Sequence, residues 1–340
     1  MREEIKQLEG LLINNEIITL ISHFNPDGDA AGSLMGMKWF LNSLGKRCNA
    51  ILPSSLPRSV DYLDPDGEII YYTHSKEKVV DIIASSTLII CLDFNKLSRT
   101  EWLEEDIKRS KATKVLIDHH IAPETDSFDL VLSKPESSST CELLFNIIES
   151  TSFIRGDISR IPYNSRLSLA TGLITDTNNF NNSLTPETFI MASKLLESGI
   201  DFSYIINMVQ KRFSEERVRL MGHLLYNSMT VYDDLNGACT ILTQKEKKLY
   251  NFRDGDSEGF VNIPLTIENV LVSGFFSESD GYIKVSLRSK DGFSANRFAN
   301  LYFNGGGHEK AAGGRLFIPI EEVSQYFKNS LEQFLQNGGK

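Results

Sequence analysis

Three apolar runs in the first half of the chain each end in an aspartate, a histidine or both, and this repetition limits the available folds more than any other feature. IITLIS (17–22) runs into His23, STLIICLDF (86–94) carries Asp93 near its end, and KVLIDHH (114–120) closes on Asp118, His119 and His120. Strands this continuously apolar are buried on both faces, and the segments between them show the helical spacing that supplies the cover, as in AAGSLMGMKWFLNSL (30–44) and SSTCELLFNIIES (138–150). With CNAILP (48–53) as a further strand, the pattern predicts an α/β fold with a parallel sheet between helices. Ligand sites in such sheets gather at the carboxyl ends of strands, where the acidic groups of this chain also gather.

The pattern changes at Thr185. A Thr-Pro-Glu start signal opens a polar-faced helical stretch, read as a linker over 185–228. Beyond it MTVYDD, ACTILT, VLVSGFFSE and YIKVSLRS read as strands, followed by the glycine cluster NGGGHEKAAGG and a last helix, EEVSQYFKNSLEQFL. The expected organisation is a parallel-sheet domain over 1–184, the helical linker over 185–228, and a smaller α+β domain over 229–340.

Composition narrows the function classes. A net charge of −10 leaves no broad basic footprint for long duplex nucleic acid, although one local site for a small anionic substrate remains open. The four cysteines have no CxxC spacing and read as reduced, buried thiols. No apolar run reaches membrane-spanning length, and MREEIKQLEG lacks the layout of a signal peptide, so a cytoplasmic protein is expected.

The turn HFNPDGDAAGS offers His23, Asp27 and Asp29 between a strand and a helix. The plain structural reading has Asp29 capping a helix that begins at Ala30, but one cap needs one carboxylate and the turn carries three potential ligands. Asp93 follows a run too apolar to leave a carboxylate comfortable alone, and Asp176 ends the helical segment LATGLITD. Converging carboxylates repel one another unless cations neutralise them. A pair of divalent cations resolves the conflict and suits two-metal phosphoryl chemistry. Mixed imidazole and carboxylate ligands favour manganese, iron or cobalt over magnesium.

The order HxNPDGD, LD, DHH, TDT resembles the DHH phosphoesterase superfamily, and NGGGHEKAAGG resembles the glycine-rich motif of its C-terminal DHH-associated domain. Length and layout are similar to the stand-alone nanoRNase and pAp phosphatase branch. The resemblance implies that His23 and Asp27 hold one metal, that Asp29, His119 and Asp176 hold the other, and that Asp93 bridges them. It leaves His120 facing the scissile phosphate, with Asp118 orienting a histidine. Two positions depart from the family pattern. TDTNNF has no glycine after its second threonine, and Phe94 and Asn95 stand where small or acidic residues are usual.

In the second domain Lys284, Arg288, Lys290, Arg297, Lys310 and Arg315 stand against only Asp291 and Glu309. Arg288 and Ser289 at a strand end, with Gly305, Gly306, Gly307 and His308, are the expected phosphate grip, since glycines admit anions to backbone N–H groups and arginine binds them bidentately. The expected activity is manganese-dependent hydrolysis of short oligoribonucleotides and 3'-phosphoadenosine 5'-phosphate by water activated between two metals, in a monomer or homodimer. Cyclic or linear dinucleotide hydrolysis is the nearest alternative. Exopolyphosphatase or pyrophosphatase activity is less favoured, for want of a denser basic pocket, and single-strand DNA exonuclease activity for want of a further strand-binding domain. A non-catalytic nucleotide sensor would be marked by loss of a metal ligand, and none is missing.

Overall fold

The computed structural model describes residues 1–210, 213–253 and 255–339. The chain divides into two compact units, Met1–Arg212 and Phe213–Lys340. The first contains strands β1 (Ile17–Ile21), β2 (Arg47–Leu52), β3 (Ile69–Tyr71), β4 (Leu88–Leu92), β5 (Thr113–Asp118) and β6 (Leu130–Ser133). Its helices are α1 (Arg2–Asn14), α2 (Gly28–Ser43), α3 (Lys76–Ser85), α4 (Glu104–Arg109), α5 (Thr140–Ser150), α6 (Tyr163–Asp176), α7 (Pro186–Glu197) and α8 (Phe202–Gln210).

The strands form one parallel sheet in the order β3-β2-β1-β4-β5-β6. Side chains alternate across it, so each continuous apolar run supplies two cores. Leu88, Ile90 and Leu92 of β4 join one cluster with Ile18, Leu20 and the residues of α2, α5 and α6, while Ile89 and Cys91 join the other with Ile21, Val79 and Ile107. The strand order reverses between β1 and β4, the point at which open α/β sheets bind ligands. Ile21 pairs with Cys91 there, so His23 and Asp93, each two residues further on, leave the sheet side by side.

Helices α2 and α6 lie against each other because small residues allow it. A β-carbon at Gly32 would sit 2.5 Å from the Ser168 carbonyl oxygen, and one at Gly172 would sit 2.7 Å from Asp29 Oδ1. This contact sets the start of α2, with Asp29, beside the end of α6, with Asp176.

The second unit contains α9 (Glu215–His223), β7 (Met229–Tyr232), β8 (Gly237–Leu242), α10 (Gln244–Leu249), β9 (Val272–Ser279), β10 (Tyr282–Ser289), α11 (Ala295–Tyr302), β11 (Gly306–His308), β12 (Ala311–Leu316) and α12 (Val323–Gln336). Its mixed sheet runs β11-β12-β10-β9-β8-β7, with only β8 and β9 parallel. Phe276, Phe298, Phe303, Phe327 and Phe334 fill its core. The fold is therefore the expected α/β domain followed by a smaller α+β one.

Within the stretch 185–228, α7 and α8 belong to the first unit and α9 to the second, and residues 211 and 212 lie outside the described residues. The short edge strands β3 and β6 have too few residues to show a period in sequence, and the glycine cluster conceals the antiparallel hairpin β11–β12. No helix among the described residues is long and apolar enough to cross a membrane.

Candidate functional site

The turn after β1 builds the first part of the site. Ser22 donates to the Leu92 carbonyl oxygen at 2.8 Å, tying the end of β1 to that of β4. His23 is buried, and its Nδ1 lies 2.9 Å from the Phe24 carbonyl, which can only accept, so Nδ1 carries the proton. Nε2 then faces Asp93 Oδ2 at 3.5 Å with no hydrogen-bond partner. A lone pair facing a carboxylate in a buried place requires a proton or a cation between them. Burial alone would lower the pKa of His23, but the Asp93 and Asp27 carboxylates outweigh it and raise it.

Asn25 adopts φ 53° to turn the chain, and Asp27, not Asp29, caps the following helix. Asp27 Oδ1 accepts from the backbone N–H groups of Asp29 and Ala30, each at 3.0 Å. The plain structural reading of Asp29 as a cap does not hold, because that position is taken by Asp27. Asp29 is buried inside the first turn, and its two oxygens accept from the Thr140 N–H at 2.6 Å and the Cys141 N–H at 2.9 Å, at the positive end of α5. Burial, with the charges of Asp93 and Asp176, holds its carboxyl well above the usual range.

Asp93 leaves β4 with φ 66°, an uncommon conformation for a residue other than glycine, and accepts from Thr140 Oγ1 at 2.9 Å. Burial would raise its pKa, yet His23, His120 and His119 around it hold it well below the usual carboxylate range. His119 Nδ1 donates to the Ser137 carbonyl at 3.1 Å, which turns Nε2 toward Asp176 Oδ2 at 3.3 Å and toward Asp29 Oδ2 and Asp93 Oδ1, both at 3.9 Å. The pKa of His119 is raised because Asp29 and Asp93 outweigh its burial. Asp176, at the last position of α6, is pushed well up by burial and by the charges of Asp27 and Asp93.

Asp118 at the end of β5 is fully buried and serves its neighbour, accepting from His120 Nδ1 at 2.7 Å and from the His120 N–H at 3.1 Å. Arg99 Nη1 stands 3.0 Å from His120 Nε2. Arginine only donates, so Nε2 is the acceptor and the proton sits on Nδ1, toward Asp118. Sequence reasoning missed Arg99 and Thr140. Nothing in their spacing marks them, although Arg99 lies in the short helical segment Leu97–Leu103 that follows Asp93.

Ligand atoms of His23, Asp27 and Asp93 lie within 4.8 Å of one another, as do those of Asp29, His119 and Asp176, and those of Asp93, His119 and His120. Four carboxylates converge on two imidazole lone pairs, and this donor set fits divalent cations. The partnerless Nε2 of His23 is the most direct sign of the fit.

In the second unit, Arg288 and His308 both pair with Ala311, so the three stand on one rung of the sheet with their side chains on one face. Arg288 Nη1 donates to its neighbour's carbonyl, that of Leu287, at 2.9 Å, and burial lowers its pKa. Ser289 Oγ donates to the Phe293 carbonyl at 2.7 Å, which commits its hydroxyl proton to the turn. Gly305 and Gly307 answer a packing need: β-carbons there would sit 1.8 Å from the Gly313 carbonyl oxygen and 2.5 Å from that of Ala311. Gly306 pairs with Gly313 in the same hairpin.

Residues 17–173 match the DHH family N-terminal domain, and residues 245–337 match the DHHA1 domain. The crystal structure of an exopolyphosphatase-related protein from Bacteroides fragilis superposes with a TM-score of 0.93 at 39% identity, over 98% of this chain and 97% of that one. The bifunctional oligoribonuclease and PAP phosphatase NrnA of Thermus thermophilus is 29% identical over 92% of this chain and 86% of its own length. A probable bifunctional oligoribonuclease and PAP phosphatase NrnA of Streptococcus mutans is 28% identical over 93% and 96%. Both domains occur in order along one chain, and the likeness to these proteins runs nearly its whole length, so the protein belongs to the DHH family and is a hydrolytic phosphoesterase.

Proposed function

We propose that the protein hydrolyses very short oligoribonucleotides and 3'-phosphoadenosine 5'-phosphate with two divalent cations, manganese being best suited to the ligands. The observation that carries this reading is the convergence of His23, Asp27, Asp29, Asp93, His119 and Asp176 at the strand-order reversal, in a chain with two near-full-length relatives named for these two activities. His23 and Asp27 would hold one cation and Asp29, His119 and Asp176 the other, with Asp93 available to both. When bound, the pair supplies Lewis-acid activation of water and of the phosphoryl oxygens.

The remaining residues handle the substrate. Arg99 donates to a phosphoryl oxygen and thereby releases His120 Nε2. His120 then takes a proton from solvent water at Nε2, with Asp118 stabilising the imidazolium through Nδ1, and passes it to the leaving oxygen. Buried Asp29 and Thr140 hold their neighbours rigid, so little reorganisation accompanies the reaction. Arg288 and His308, sharing one sheet face, bind a further phosphate or the terminal nucleotide of a short substrate. The free cysteines suit a reducing, cytoplasmic setting.

The test is a comparison of rates with manganese on pApA, 3'-phosphoadenosine 5'-phosphate, a longer RNA, cyclic di-AMP and pyrophosphate. The reading requires the first two to be the best substrates. Preference for cyclic di-AMP or pyrophosphate would replace it.

A further inference from the structure

Beside the metal-ligand cluster the first unit carries an aromatic arrangement that the proposed chemistry does not use. Trp102 is 49% exposed, an unusual state for the largest apolar side chain. Its ring stacks on Tyr72 at 5.7 Å and 17° between planes, and it meets Phe24 edge-on at 5.2 Å and 78°. Two neighbours thus fix the plane of the indole while nearly half of the residue stays open.

All three rings come from the carboxyl edge of the sheet. Phe24 follows His23 directly after β1, Tyr72 follows β3 and donates its N–H to the Leu52 carbonyl at the end of β2, and Trp102 lies in the short helical segment Leu97–Leu103 after β4. That segment also carries Arg99, whose carbonyl accepts from the Phe24 N–H at 2.9 Å. One short stretch of chain therefore presents a guanidinium to His120 and an indole to solvent. The backbone bends sharply at Glu101, φ 51° and ψ −109°, immediately before Trp102. Such a conformation costs free energy in a residue other than glycine and persists where the surroundings enforce it, often at a ligand site.

We infer that Trp102, held by Tyr72 and Phe24, is a stacking platform for a nucleobase of the substrate whose phosphate is bound by Arg99 and the metal-ligand cluster. The inference rests on the nucleotide function proposed above and adds the base-binding subsite to it. An aromatic face accepts any base, so the platform gives affinity with little sequence preference. A base is favoured over another apolar occupant because the same segment supplies the phosphate donor, and a nucleotide carries both groups a short distance apart.

The chain has two tryptophans, so Trp39→Phe leaves Trp102 as the sole reporter. The manganese-loaded variant is titrated with adenosine 5'-monophosphate and, separately, with ribose 5-phosphate, following tryptophan emission and binding heat. Saturable quenching by the nucleotide, absent with the sugar phosphate, is expected. Trp102→Ala in the otherwise unaltered protein weakens nucleotide binding by about five- to a hundredfold, the scale of one base stacked on an aromatic ring, and Trp102→Phe recovers most of it. Nucleotide binding by calorimetry without quenching, or with the same affinity in Trp102→Ala, overturns the platform and leaves the proposed function standing. Failure of the nucleotide to bind at all overturns both.

Discussion

His23 Nε2 faces Asp93 Oδ2 at 3.5 Å across the point where the strand order reverses, without a hydrogen bond between them. Two strands adjacent in the sheet but far apart in the chain bring this pair together, and His23 Nε2 has no hydrogen-bond partner there.

Asp93 is the first residue to test. Asparagine tolerates its left-handed backbone, so Asp93→Asn removes the charge with little strain. Turnover is expected to fall by about a thousandfold or more, corresponding to several kcal/mol of lost metal assistance, with the fold intact by circular dichroism. Near-normal turnover in a folded, metal-replete variant would remove Asp93 from the shared position.

The pH dependence of stability distinguishes the metal-free from the metal-loaded protein. Asp29 and Asp176 have folded-state pKa values raised well above their ordinary values, and His23 and His119 are raised too. Groups raised on folding contribute stability below their unfolded pKa values, about 4 for the aspartates and 6.5 for the histidines, and lose it as pH rises through the folded values. The depressed pKa of Asp93 acts in the opposite sense, and only at more acidic pH. Metal-free protein should therefore lose thermal stability as pH rises above about 4, and further as it rises above about 6.5. Excess manganese should reverse the slope, because cation binding needs the deprotonated ligands. Melting curves in chelator and in manganese measure both slopes, and equal slopes would count against a cation in this cluster.

The two adjacent histidines should fail differently. His119→Ala opens a cluster of ligand atoms and is expected to lose bound metal, read by elemental analysis. His120→Ala should keep both metals and lose about a hundredfold in kcat, the scale of a missing general acid. The reverse pattern would exchange their roles.

Arg99 contributes through two separable parts. Its carbonyl accepts from Phe24, and any side chain at that position preserves this bond. Arg99→Ala should thus fold normally and lose about 10- to 150-fold in kcat/KM, the scale of one charged hydrogen bond. Unchanged kcat/KM would mean that the guanidinium serves His120 alone.

Arg288→Ala should weaken a short oligonucleotide by about 1.5 to 3 kcal/mol, and His308→Ala should affect the same substrates, since both side chains occupy one face of one rung. Binding measured by calorimetry with a non-hydrolysable dinucleotide reads this directly. If only one of the two substitutions matters, the shared phosphate site is wrong.

The amino-acid sequence by itself determined the type of domain and singled out the carboxylates and imidazoles whose ligand atoms the fold brings close together. Apolar runs such as LIICL, short and bounded by helical segments, read as strands buried on both faces, and polar ligands at their ends announce themselves because a carboxylate beside such a run needs a partner. These are local signals, readable from neighbours along the chain. The tertiary structure decided which residues meet. The capping oxygen proved to be that of Asp27 while Asp29 reached across to α5, because the exact start of α2 depends on its packing against α6 through Gly32 and Gly172. Arg99 and Thr140 joined the site through hydrogen bonds that no spacing records. The glycines of NGGGHEKAAGG became a hairpin whose register set His308 beside Arg288, and Trp102 found Tyr72 and Phe24 only because β3, β1 and β4 end on the same edge. Strand order and register are set by contacts distant in sequence, and period and composition carry no record of them.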